Sequence, residues 1–260
     1  MIMIGFLLKK NFYDLWDNLF RIVLLNVGFM ASIAFPFLAP SLFTRVPLLG
    51  LFFLVSGIVW CFIYMSAAAL SLKSVSDYGS FGFADFFSNI KKGWPWGLAA
   101  LVLAFICFLL VTVIIPFYFF QMSQVIGFLL AAFVFWAMIA GVLSFQFFFA
   151  IRARLDTRPF KVIKKCLIIF FDNSGFCFFT LLGNMAMLAL SVLTAFLFPG
   201  PAGILLFIDQ GLRLRLLKYD WLEANPGANR KKIPWDAILI EEREKTGNRS
   251  FKNFIFPWKD

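Results

Sequence analysis

The stretch GILLFIDQGLRLRLL, residues 203–217, decides how the rest of the chain is read. It is apolar enough to enter a bilayer, yet it carries Asp209, Arg213 and Arg215. Charges in such a segment are tolerated only where they meet a partner, a polar cavity or the lipid headgroups. Which of these applies depends on what surrounds the stretch.

The surroundings are strongly apolar. Of 260 residues 62% are hydrophobic, 38 are phenylalanine, and the mean hydropathy is +0.86. A soluble domain is about 45–50% apolar, so the bilayer is the natural solvent for this composition. Several apolar runs exceed the ~18 residues that mark a spanning helix. We read six spans, at 19–39, 47–70, 97–120, 125–151, 174–198 and 203–218. Short links join them in pairs: PSLFTRV, the region around QMSQ, and PGPA.

Charge orients the spans. With the N-terminus inside, 23 of the 24 Lys and Arg residues fall on the cytoplasmic side and Arg45 alone lies outside. That is the positive-inside pattern of a multi-pass membrane protein with both termini cytoplasmic. The sixth span then starts at the outer face. At 1.5 Å per residue, Asp209 is expected roughly 14 Å deep, near the midplane, four residues from Arg213 and within reach of an intrahelical ion pair. Arg215 and Lys218 reach the inner headgroups.

An amphipathic stretch precedes each odd-numbered span. In the first, Phe12, Leu15, Trp16, Leu19 and Phe20 form the apolar stripe, with Asn11, Asp14, Asp17 and Asn18 opposite. Phe83, Phe86, Phe87, Ile90 and Trp94 form the second stripe, and Phe160, Ile163, Leu167 and Phe171 the third. Each has the pattern of a helix lying on the inner leaflet. They end in the triplets WDN (16–18), FSN (87–89) and FDN (171–173), whose polar residues suit a turn from the interface into the membrane. The expected fold is an all-α membrane protein of three helical hairpins, each preceded by an interfacial helix. The repeat units are about 11–80, 82–156 and 159–218, giving a pseudo-threefold membrane domain, 1–218, and a cytoplasmic tail, 219–260.

The stretch WDNLFRIVLLNVGFM (16–30) and the segment SAAALSLKSVSDYGSFGFADFFSNIKKGWPWGLAALVLAF (66–105) resemble the YesL-like family of bacterial multi-span membrane proteins. The resemblance covers about residues 10–220 and transfers no catalytic residue. It implies an inner-membrane protein that assists carbohydrate uptake.

Few residues offer chemistry. There is no histidine and no CxxC pair, and Cys61, Cys107, Cys166 and Cys177 read as small buried hydrophobes, so no metal, cofactor or catalytic site is expected. Asp172, Glu223 and Asp236 are scattered without partners by spacing. The intramembrane polar candidates are Asp209, Arg213, Asn26 and Asn184, with Gln121 and Gln146 bracketing the fourth span. Amides at such depth commonly bond across helices, and a path for a polar solute is the other reading. Gly57, Ser66 to Ala69, Gly127 and Gly141 permit close helix contact, and Pro36 and Pro116 are candidate kinks. Arg152, Arg154, Arg158, Lys161, Lys164 and Lys165 form a basic cluster suited to anionic lipid headgroups or to fixing topology.

In the tail, PWDAILIEERE (234–244) reads as a short helix. Phe251, Phe254, Phe256 and Trp258 lie among lysines, a pattern for docking on a partner or lying on the bilayer. The net charge of +10 follows from orientation, so no nucleic-acid partner is expected. Together these features favour a non-enzymatic accessory or scaffold component of a membrane complex such as a solute (sugar) uptake system, with a membrane-protein partner. A transporter or lipid-handling protein with a polar path near Asp209 is the alternative.

Overall fold

The computed structural model describes residues 2–122, 124–155, 158–230, 232–247 and 249. Every regular element among them is helical. In chain order these are α1 (Ile2–Asp17), α2 (Leu19–Phe43), α3 (Pro47–Ser76), α4 (Phe83–Leu109), a π-helical segment (Leu110–Ile114), α5 (Ile115–Phe120), α6 (Gln124–Phe145) and α7 (Phe148–Arg154). Then follow α8 (Pro159–Asp172), α9 (Ser174–Leu193), α10 (Gly200–Ala224), α11 (Trp235–Ile238) and α12 (Ile240–Thr246). Five helical stretches among the described residues are long and apolar enough to cross a membrane: Leu19–Phe43, Pro47–Ser76, Phe83–Phe120, Val125–Arg154 and Ser174–Leu193. The sixth expected span falls on α10, which at 25 residues is long enough but too charged to join them.

Local signals set the helix limits. Pro47 and Pro159 occupy first-turn positions of α3 and α8, where a missing N–H costs nothing. The Asp85 carboxylate accepts the Gly82 N–H at 2.8 Å and anchors the start of α4. Ahead of Pro116, which cannot donate to the preceding turn, the backbone widens into the π segment. Pro36 and Pro40 are carried inside α2.

Small residues let the helices approach. In the antiparallel pair α2–α3, Gly57 lies against Pro36 and Gly28 against Tyr64. In α3–α4, Gly97 lies so close that an added Cβ would stand 2.6 Å from the Ile63 Cα. Ser66, Ala67, Ala68 and Ala69 are buried, and Ser66 and Ala67 meet Gly93 of α4. Gly127 meets the Tyr118 carbonyl, whereas Gly141 faces only Phe145 of its own helix. In α9–α10, the Phe207 ring covers Gly183 and the Phe176 ring covers Gly211, so these two helices are also antiparallel.

One expectation about the amphipathic stretches changes. The second stretch is no separate helix: residues 83–94 are the first turns of α4. In the first stretch the two sides are mixed, with Leu15 of the apolar stripe buried and Asp17 of the polar side exposed. Lys10, Asn11 and Asp14 of α1 are buried, while Trp16 and Phe20 are exposed. In α8 the apolar stripe is likewise open. Val162, Cys166 and Ile169 face the core, Phe160 and Phe171 lie open, and Lys161 and Lys164 are exposed beside them. The asparagines of the triplets divide likewise. Asn18 and Asn173 stand at the breaks α1/α2 and α8/α9, but Asn89 is inside α4, donating to Ser71 Oγ at 3.0 Å.

Candidate functional site

The central element is α10. It packs against α1, α2, α3, α7 and α9, and its polar residues face them. Its start is held by Asn26, whose amide donates to the carbonyls of Leu197 (2.9 Å) and Pro199 (2.8 Å) and accepts the Ala202 N–H (2.9 Å). One side chain thus satisfies both the turn and the open N-terminus of α10. Gly200 sits against this amide with φ +63°, and an added Cβ would come within 2.3 Å of it. Asn26 is seven residues into α2, about 10 Å from its start, so the α9–α10 turn lies well short of the far end of α2.

The structure changes the partner expected for Asp209. The carboxylate lies at the ends of α3 and α7, not midway along its neighbours, and its partner is not Arg213. The Arg154 guanidinium grips it through two nitrogens, Nε at 2.9 Å to Oδ1 and Nη2 to Oδ2. The same guanidinium reaches Asp77 Oδ1 and Ser76 Oγ, each at 2.9 Å. Arg213 instead bonds Asp77 Oδ1 and, at 2.7 Å, Glu242 Oε1 on α12. Such fork-to-carboxylate pairing is strong and directional.

Tyr78 is the hub beside this chain of charges. It ends α3 in the left-handed region (φ 62°), with Gly79 N–H to Ser74 O at 2.8 Å and Tyr78 N–H to Val75 O at 3.0 Å closing the helix. Glycine is the usual residue there, because a side chain costs about 1–2 kcal/mol in that conformation. The side chain explains the choice. Its hydroxyl reaches Glu242 Oε2 at 2.9 Å and Thr246 Oγ1 at 3.1 Å, and its ring lies 3.4 Å under the Lys10 ammonium. Burial pushes the Tyr78 phenol well above its ordinary value.

On α1, Lys10 Nζ bonds Asp14 Oδ2 at 2.8 Å, Gln210 donates to the same oxygen at 2.6 Å, and Asn11 donates to Gln210 at 2.9 Å. Burial lowers the Lys10 ammonium and raises the Asp14 carboxyl, each against the pull of the other. Three cations and four carboxylates, from α1, the end of α3, α7, α10 and α12, therefore meet at one end of the bundle.

The other candidates are dispersed. Arg154 is engaged at this charged end and so does not serve a lipid-facing cluster with its neighbours. Arg152 lies over the Trp96 ring at 4.8 Å. Arg158, Lys161 and Lys164 are exposed, and Lys165 is half-buried. Asn184 donates to Gln146 Oε1 at 3.3 Å, and Gln146 donates to the Cys177 carbonyl at 2.9 Å, linking α9 to the end of α6. The Asn184 Oδ1 is buried without a hydrogen-bond partner among the described residues. Arg215 packs on the Phe176 ring at 4.1 Å. Asp172 is less isolated than its spacing implied. It accepts from Tyr219 at 2.7 Å and Lys218 at 3.2 Å, which holds its carboxyl below the ordinary value. Phe251, Phe254, Phe256 and Trp258 lie outside the described residues.

Sequence reasoning missed Asp77, Tyr78, Gln210 and Glu242. Only SDYG (76–79), a polar run ending a small-residue helix, carried a local signal. No group of three or more His, Cys, Asp or Glu side chains is placed to hold a metal ion among the described residues. Compared with known proteins, the chain matches no family model, no curated protein and no solved structure. The fold itself defines an all-helical chain with membrane-length helices and an ion-paired end.

Proposed function

We propose that this chain is a non-enzymatic integral protein of the bacterial inner membrane, an accessory or scaffold component of a complex such as a solute (sugar) uptake system. The observation that carries the reading is the engagement of Arg154, Asp209, Asp77, Arg213 and Glu242 with one another. A group that passes on a proton or an ion must change partners, whereas a two-pronged pair backed by Ser76 is built to stay. The charges join distant segments into one support.

That support leaves the α4–α6 hairpin with broad aromatic surfaces, among them Phe105, Phe108, Phe133 and Trp136, on which partner helices can pack. The likeness to the YesL-like family points the same way. In this reading the hairpins are α2–α3, α4–α6 and α9–α10, with α10 a shallow sixth membrane helix. The charged end, where α1 and the tail meet, is cytoplasmic, and the basic clusters fit that side. α8 and its lysines contact anionic lipid.

Extraction from native membranes in mild detergent should recover a stoichiometric membrane-protein partner, and deletion of residues 251–260 should weaken its retention. Recovery of the chain alone would defeat the scaffold reading. Reporters fused after Phe43 and after Arg154 should signal from opposite faces; agreement between them would overturn the topology. Proteoliposomes of the purified chain should move no solute. Flux that vanishes in Asp209→Asn would put a transporter in place of the scaffold.

A further inference from the structure

A lateral groove of about 570 Å³ opens between the first turns of α2, the middle of α3 and the first turns of α4. Its lining is almost wholly apolar, with Phe20, Leu24, Trp60, Phe83 and Phe87 forming the walls and Tyr64 and Phe86 the floor, their rings 5.1 Å apart. The Tyr64 hydroxyl is engaged within the protein, donating to the Leu25 carbonyl at 2.9 Å. The volume falls within the ~300–1,000 Å³ of small-molecule sites.

One charged side chain lines the groove, Arg21, half-buried in the first turn of α2. A single nitrogen bonds Asn18 Oδ1 at 3.0 Å, and no carboxylate pairs with the guanidinium among the described residues. The contrast with Arg154 and Arg213, each held by two acids, is direct. A hydrocarbon-sized slot beside membrane-length helices, with one unmatched guanidinium at the start of a span, has the chemistry of a lipid: chain in the slot, phosphate on the cation.

We infer that this groove binds one acyl chain of an anionic phospholipid, with Arg21 pairing to its phosphate. The inference needs only that the chain lies in a bilayer and is independent of the scaffold role. It places headgroup recognition on α2, apart from the basic residues of α8.

The test is native mass spectrometry of the detergent-purified full chain, titrated with phosphatidylglycerol or phosphatidylcholine of identical acyl chains. One phosphatidylglycerol should be retained preferentially. Arg21→Gln should weaken it about fivefold, as expected for loss of one basic contact, and weaken phosphatidylcholine, whose phosphate is offset by its own choline cation, by less. Leu24→Trp, which fills the groove, should release both. Retention of phosphatidylglycerol within a factor of about two in Arg21→Gln, or of both lipids in Leu24→Trp, would overturn the proposal. Mapping a photoreactive phosphatidylglycerol on the unmutated chain needs no variant to fold. Adducts on the peptides bearing Phe20 and Phe87 support the site, and adducts confined to α8 refute it.

Discussion

Helix α10 and the α4–α6 hairpin stand at opposite extremes of this molecule. α10 carries Asp209, Gln210, Arg213, Arg215 and Lys218, yet twelve of its residues are buried. The π segment and α5 carry no charge and bury none of their residues. In water the order would be reversed, since apolar surface drives burial there. In lipid the hydrocarbon is as good a neighbour for phenylalanine as another helix is, and polar groups are what gain from protein contact. The same rule explains α1, which turns Lys10, Asn11 and Asp14 inward and Trp16 outward.

The comparison can be broken most forcefully at Arg154. Arg154→Met leaves Asp209 buried without its cation and should cost about 3–5 kcal/mol, read as the unfolding free energy in detergent micelles. A loss below about 1 kcal/mol would mean that α10 is not held by its charges. Next in size is the α3–α4 crossing, where Gly97→Ala drives a Cβ onto Ile63 and should cost about 1–3 kcal/mol in the same assay. Full stability in that variant would show that the helices are not in close contact.

A smaller effect is expected from acid. The Asp172 carboxyl is held below its ordinary value by the Tyr219 hydroxyl and then Lys218, so the folded state prefers the ionised form. Its stabilising contribution is complete above a pH of about 4 and is lost as pH falls through the lower folded value. Asp172→Asn should flatten that acid limb, and an unchanged limb would remove Asp172 from the account. Smallest of all is Phe133→Ala on the α4–α6 hairpin. The isolated chain should change by less than about 0.5 kcal/mol, while recovery of a partner in co-purification should fall. A large change in the isolated chain would mean that this face packs against its own protein.

Much of the architecture was legible along the chain. Apolar runs longer than a bilayer is thick are visible one residue at a time, and so are the prolines that open α3 and α8. The small residues 66–69 marked a close crossing because close approach depends on side-chain size alone. The candidate site was legible only in outline. Asp209 announced that a charge needed a partner. Spacing offered Arg213, four residues on, whereas the fold supplies Arg154, 55 residues away in sequence. No pattern along the chain encodes that meeting, because it depends on where the α9–α10 turn stops against Asn26.

The sequence by itself determined that the chain is helical, that its solvent is lipid and that its cations gather in clusters, because length, apolarity and charge are local properties. Tertiary structure alone decided where the α9–α10 turn stops against Asn26, the burial of Lys10, Asn11 and Asp14 on α1, and the choice of Tyr78 and Glu242 as partners. Burying a charge is costly, and which opposite charge relieves that cost is set by the packing of helices far apart in the chain.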